Sequence, residues 1–152
     1  MATWKTFEQE APDLAAEVRA RFEAHETHVL ATIREDGSPR VSGSEVDFTG
    51  GGLTFGSMLN AMKARDLRRD GRCAIHAHPS SDGDAKVAGV AVEVLDPAEK
   101  RATATGKEPP GDFHAFRLTL TEAVLTTVDE ENQLLVIHLW KPGHPVRVFK
   151  RR

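Results

Sequence analysis

The chain is poor in the residues that cross-link or anchor small proteins. Cys73 is the single cysteine among 152 residues. One cysteine forms no internal disulfide, so a reducing, cytoplasmic setting is expected. It opens an apolar run, Cys73-Ala-Ile-His-Ala-His78, which suits a buried small side chain better than a nucleophile. The absence of tyrosine excludes a tyrosine acid. No apolar run approaches the roughly 18 residues of a membrane span, and the opening segment mixes charges early, without the apolar core of a secretion signal. No membrane partner is expected. The formal net charge is only −3, so bulk charge gives no reason to expect nucleic acid. There is no internal repeat, no low-complexity segment, no nucleophile-elbow context for a serine and no carboxylate pair of the glycosidase kind.

What is present is ordinary globular composition, 39% hydrophobic and 28% charged, at a length that suits one domain over residues 1–152. Residues 1–26 form a helical segment expected to pack on that domain. Thr6-x-x-Gln9 has the form of a capping box. Pro12 suits a first helical turn, and Leu14, Val18 and Phe22 recur at helical spacing, which predicts an amphipathic helix over 12–24. His28 to Ile33 then alternates, with Val29, Ala31 and Ile33 on one side. Asp36-Gly37 predicts a hairpin, returning from about Arg40 to Phe48. Gly50 to Gly52 make a turn into a third strand, Leu53 to Ser57. These three are expected to form a meander.

The period then changes. Leu59, Met62 and Leu67 predict a short helix over 60–69, with Gly71 as its stop. Strands are expected at 73–78 and 85–95, a helix at 97–105 by the Asp96-Pro97 start, and a break at Pro109, Pro110 and Gly111. Phe116, Leu118 and Leu120 alternate with polar residues. Asp129 to Asn132 turns the chain into Leu134 to Trp140, and Lys141-Pro142-Gly143 turns it into a last strand, 146–149. Short strands joined by tight turns, with three short helices, predict a mainly β fold, an antiparallel barrel with helical decoration. Strands one to three leave no room for the crossovers of a parallel sheet.

The most informative segment is Leu53 to Leu67, LTFGSMLNAMKARDL. A strand ends at Phe55-Gly56-Ser57 and a helix begins shortly after. A helix start offers free N–H groups and partial positive charge, which suits a phosphate. Gly56 permits close approach, Ser57 offers a hydroxyl and Lys63 adds a full charge. Lys63, Arg65, Arg68, Arg69 and Arg72 crowd this stretch, and Lys150, Arg151 and Arg152 form a second cluster. Local clusters of this size suit a small anion better than a polyanion. His76 and His78 fall on one face of a predicted strand, and His138 lies on another. Imidazoles on neighbouring strands can hold zinc or iron. No further ligand spacing supports that use here, and no metal site is assigned.

The order of four blocks carries a family likeness: ATIREDGSPRVSG (31–43), LTFGSMLNAMKARDLRRDGRCAI (53–75), AKVAGVAVEV (85–94) and LWKPGHPVRVF (139–149). Together they resemble the pyridoxamine 5'-phosphate oxidase-like superfamily of FMN-binding split β-barrels. The resemblance implies an antiparallel split β-barrel, a homodimer and an FMN-dependent oxidoreductase acting on a small molecule. The backbone of Arg40, Val41 and Ser42 would touch the isoalloxazine ring. Gly56, Ser57, Met62 and Lys63 would hold the phosphate, while Trp140 and Arg147 would come from the second subunit. Relatives carry a basic residue where this chain has Met62, a departure for which Arg65 would have to compensate. Residues that grip pyridoxal phosphate are not recognisable, so vitamin B6 oxidation is not implied. Some relatives bind the deazaflavin coenzyme F-420 in place of FMN. A non-catalytic flavin or haem carrier is the alternative on the same fold.

Overall fold

The computed structural model describes residues 1–108 and 111–152; the break expected at Pro109 and Pro110 falls outside them. The N-terminal segment forms two helices, α1 (Trp4–Glu10) and α2 (Pro12–Glu23). Thr3 caps α1, its hydroxyl oxygen accepting the Thr6 N–H at 3.1 Å. The capping box expected at Thr6 therefore lies one turn late, and the helix it belongs to begins at Trp4. Strand β1 (His28–Ile33) and strand β2 (Pro39–Ser44) form the expected hairpin. Strand β3 (Thr54–Met58) and helix α3 (Met62–Arg69) follow. Next come β4 (Arg72–His76), β5 (Asp84–Glu93), helix α4 (Pro97–Ala102), β6 (Phe113–Asp129), β7 (Leu134–Trp140) and β8 (Arg147–Arg151).

The eight strands form one antiparallel sheet in the order β2-β1-β4-β5-β6-β7-β8, with β3 pairing β6 off this path. The expected three-strand meander is thus incomplete. After β2 an isolated bridge, Asp47–Thr54, is the ladder pairing with β3, and β3 instead runs along the first half of β6, from Met58 opposite Phe113 to Thr54 opposite Arg117. A long connection between β2 and β3 carries the chain away from its hairpin partner.

Strand β6 changes neighbours part-way. Its first half pairs β3 and its second half pairs β7, from Ala123 opposite Trp140 to Asp129 opposite Leu134. Strand β5 lies along both halves on the other side. Between the two halves Ala2 fills the gap, exchanging backbone bonds of 2.9 and 2.6 Å with Leu120. A bulge at the same level lets Thr121 slip out of register, so Ala88 faces Glu122 while Gly89 faces Leu120. The buried side of β6 accordingly switches from Phe116, Leu118 and Leu120 to Ala123 and Leu125.

The core draws on both the sheet and the helices. Leu30, Leu53, Phe55, Ile75 and Phe116 meet Trp4, Phe7, Val18 and Phe22 in one buried cluster. Burial of Phe7 or Phe22 contributes roughly 1.5–3 kcal/mol each. Cys73 is buried, and burial pushes its thiol up to about 12, so it is not a thiolate nucleophile. Gly71 does not stop α3 by a left-handed turn. Its role is close packing, since a Cβ there would meet the Ala91 carbonyl oxygen at 2.6 Å.

One face runs against the binary pattern. The apolar side of β1, with Val29, Ala31 and Ile33, points outward, while His28, Leu30 and Thr32 point in. The outward row continues in register from Val41 through Ala31 and Ala74 to Ala88. Val41 is 69% exposed.

The bulge makes a direct stability prediction. A Cβ on Gly89 would stand 1.8 Å from the Thr119 carbonyl oxygen, so Gly89→Ala must shift backbone. Its expected cost is about 3 kcal/mol. Gly43→Ala, whose Cβ would meet only the Thr27 methyl at 3.5 Å, is expected to stay within about 1 kcal/mol. Urea unfolding midpoints of the two variants check both.

Candidate functional site

Strand β3 presents its residues alternately: Phe55 and Ser57 are buried, Gly56 and Met58 exposed. The chain then turns through Asn60, whose φ of 62° is left-handed, and enters α3 at Met62. The helix therefore starts two residues later than its sequence predicts. Asparagine tolerates that backbone better than most residues. Ala61 precedes the helix and supplies no side-chain cap, so the first N–H groups of α3 lack the partner that a serine or aspartate would give.

This junction forms one end of a groove of about 1090 Å³. Phe22, Phe48 and Phe55 contribute its apolar surface. Its walls are the α2–β1 loop, residues 43–49 and residues 103–108 after α4. Most of its charged side chains are already partnered. Arg19 pairs Glu23 at 2.7 Å and Lys107 pairs Glu26 at 3.0 Å. Asp47 accepts the Thr49 N–H at 3.2 Å, and Glu108 accepts those of Thr105 and Gly106 at 2.6 and 2.9 Å.

Lys63 is different. Its Nζ donates to the Gly43 carbonyl at 3.1 Å, and among the described residues no carboxylate lies at ion-pair distance. Burial lowers its pKa, opposed by the field of Glu45. A half-buried ammonium whose partner is a neutral carbonyl is short of an anion.

Of the residues singled out from sequence, Gly56, Ser57 and Lys63 line this groove together. The Ser57 hydroxyl donates to the Met58 carbonyl at 3.1 Å and must rotate to serve a ligand. Met62 is exposed beside the groove, as is Arg65. Arg40, Val41 and Ser42 lie on β2 just before the groove begins at Gly43. The Arg40 side chain is engaged elsewhere, on Asp66 at 2.7 Å. Trp140 is a correction. It is fully buried, stacked on Phe7 at 4.5 Å, with its indole N–H donated to Glu10 at 3.3 Å. No ring face is left for a coenzyme. Arg147 is exposed on β8, its guanidinium over Phe149, and does not line the groove of its own chain.

The basic stretch also reads differently once folded. Arg68 pairs Glu93 at 2.9 Å, Arg69 pairs Asp66 at 3.2 Å and Arg72 pairs Asp70 at 2.7 Å. Arg72 holds the Asp70 carboxyl at about 2. Three of the five cations are therefore spent on carboxylates. The histidines do not converge either. His76 Nδ1 lies 2.6 Å from the Ala77 carbonyl oxygen, the His78 ring packs on His25 at 4.2 Å, and His138 sits on β7. Among the described residues no group of three His, Cys, Asp or Glu is arranged to hold a metal. Sequence reasoning missed Glu45, Lys107 and the 103–108 wall. They lie far from the junction in the chain, and no local pattern marks them.

The family model for pyridoxamine 5'-phosphate oxidase matches residues 14–127. The chain belongs to the pyridoxamine 5'-phosphate oxidase family. Among solved structures, the PhzG protein of Burkholderia lata, crystallised with tetrahydrophenazine-1-carboxylic acid, superposes with a TM-score of 0.64 at 16% identity, over 91% of this chain and 88% of that one. A pyridoxamine 5'-phosphate oxidase-related, FMN-binding protein of Nostoc punctiforme gives 0.64 at 13% identity, over 90% and 94%. A haem-binding protein of Mycobacterium smegmatis gives 0.61 at 20% identity, over 90% of this chain and 57% of that one. No curated protein matches the sequence. At these identities the likeness is one of fold, the split β-barrel expected for the family. No helix is long and apolar enough to cross a membrane among the described residues.

His28, at the rim of this region, supplies a pH prediction. It is 2% exposed, and its Nδ1 accepts the His78 N–H at 3.0 Å, a bond that protonation abolishes. Burial lowers its pKa from 6.5, with a smaller push from the fields of His25 and His78; the Phe22 and His25 carbonyls oppose. The unfolded chain then binds the proton more readily than the folded one. Its stabilising share is complete above about pH 6.5 and falls as pH drops through the lowered folded value. Urea midpoints between pH 8 and 5 are expected to decline, and His28→Gln to flatten that decline.

Proposed function

We propose that this protein binds FMN at the β3–α3 junction and works as a flavin-dependent oxidoreductase on a small-molecule substrate. The observation that carries this reading is Lys63: a half-buried ammonium with no carboxylate partner, in the first turn of an uncapped helix, at one end of a groove of about 1090 Å³. That volume suits a cofactor and a substrate fragment better than a bare ion. Lys63 and the free N–H groups of α3 would hold the phosphate. Ser57 would add a hydroxyl once turned from the Met58 carbonyl. Gly56 leaves the backbone open to a ligand, and Arg40, Val41 and Ser42 would offer β2 backbone to the ring. A bound flavin supplies the hydride chemistry itself. The protein's part is to fix the coenzyme, shield one face and bind the substrate. Coenzyme F-420 also carries a phosphate and a flat tricyclic ring, and the same junction would serve it.

A homodimer belongs to this reading. The outward row Val41, Ala31, Ala74 and Ala88 leaves an apolar strip across the outer face of the sheet. A second copy would cover it. Arg147 would reach the coenzyme only from such a partner.

Absorbance of the purified protein, before and after addition of FMN, F-420 or haemin, separates the three coenzymes. FMN is expected to bind. A charge-assisted contact is worth roughly 1.5–3 kcal/mol, so Lys63→Ala should weaken FMN at least about ten-fold in a fluorescence titration. Unchanged affinity would remove Lys63 from the site. Sedimentation should give a dimer for the natural chain and a shift toward monomer for Val41→Asp. A monomer throughout would end the shared-site reading.

A further inference from the structure

Asp66 is buried, 1% exposed, and lies one turn beyond Lys63 on α3. Its carboxylate collects three donors. Thr32 Oγ1 and Arg40 Nε reach Oδ2 at 2.7 Å each, and Arg69 Nη2 reaches Oδ1 at 3.2 Å. The same Arg69 nitrogen donates to the Ile33 carbonyl at 2.7 Å. These bonds run from α3 to β1 through Thr32 and Ile33, and from α3 to β2 through Arg40.

Among the described residues two side-chain ties join α3 and β2. Asp66–Arg40 is one and Lys63–Gly43 is the other. They differ in kind. The first joins opposite charges, one of them deeply buried. The second joins an ammonium to a neutral carbonyl, which an anion would displace. A ligand phosphate that draws Lys63 away from Gly43 would remove one tie and leave the other. The surviving tie sets the distance between the strand segment 40–42 and the first turn of α3.

We infer that Asp66 is a positioning residue: through Arg40 and Thr32 it holds the phosphate end of the coenzyme site at a fixed distance and angle from the ring end, while Lys63 changes partner. This rests on the reading that FMN binds at the β3–α3 junction. Asp66 itself does not line the groove and touches no ligand. Its effect is transmitted through where it holds Lys63, the α3 N–H groups and β2.

A positioning role predicts coupling, which a merely stabilising role does not. FMN affinity is measured by fluorescence titration for the natural chain, Lys63→Ala, Asp66→Asn and the double variant, each first checked for a cooperative melt. Asp66→Asn is expected to weaken FMN about ten-fold and to change the visible circular dichroism of the bound flavin at saturation. In the Asp66→Asn background, Lys63→Ala should cost less than three-fold instead of ten-fold. Simple additivity of the two losses, with an unchanged flavin spectrum, would overturn the inference. Where Asp66→Asn fails to fold, Arg40→Lys takes its place in the same cycle, since it leaves the buried carboxylate a cation but not the Nε geometry. Failure of the natural chain to bind FMN overturns the coenzyme reading and this inference with it. Binding with additive losses overturns this inference alone.

Discussion

Strand β6 is seventeen residues long and is shared along one edge by two neighbours, while a bulge at Thr121 offsets its register against β5 on the other edge. On its N-terminal side β6 carries β3, and on its C-terminal side it carries β7. The shift in register also turns the buried side over, so both halves face the same core. Backbone must come very close for this, which is why a glycine, Gly89, stands against the Thr119 carbonyl. Ala2 closes the remaining hole by bonding Leu120 in both directions. Strand β3 takes the N-terminal stretch of β6, and this pairing anchors the β3–α3 junction beside the groove.

The same strand shows why local pattern and final placement diverge. Hairpin β1–β2 was legible because its signal is local: Asp36-Gly37 with Gly37 at φ 87°, and the Asp36 carboxylate accepting the Ser38 N–H. The α2 helix and the extents of β1 and β7 were legible for the same reason. The partner of β3 was not, because nothing near residue 54 says that residue 117 will lie opposite. Helix α1 was missed since seven residues hold too few turns to display a period, and its cap lies at Thr3 instead of Thr6.

The inverted side of β1 has a more specific cause. Alternation alone assigns Val29, Ala31 and Ile33 to the interior. The interior instead receives His28 and Thr32, because each finds a hydrogen-bond partner: the His78 N–H for the imidazole and the Asp66 carboxylate for the hydroxyl. Buried polar groups that are fully bonded are tolerated. The apolar side is then free to face outward, where a row of small residues gives a flat, close-packing surface. Residue pattern identified the strand and its two faces, but only the partners decide which face is which.

Charge was misread in a similar way, and the correction sharpens the site. The sequence shows five cations between Lys63 and Arg72; folded, three are neutralised by Glu93, Asp66 and Asp70. Of those five, Lys63 is the one that lines the groove, with Met62 beside it carrying no charge. One cation would hold a phosphate weakly if it had to shed its water at the moment of binding. Here the fold has already removed much of that water, and the Gly43 carbonyl is a poor substitute for it. In the proposed complex an anion would give this ammonium an ionised acceptor where it now has the neutral Gly43 carbonyl. Under the proposed reading, a site with Met62 in place of a second base would still select an anion, provided α3 stays where Lys63 and its free N–H groups can act on the same oxygen atoms.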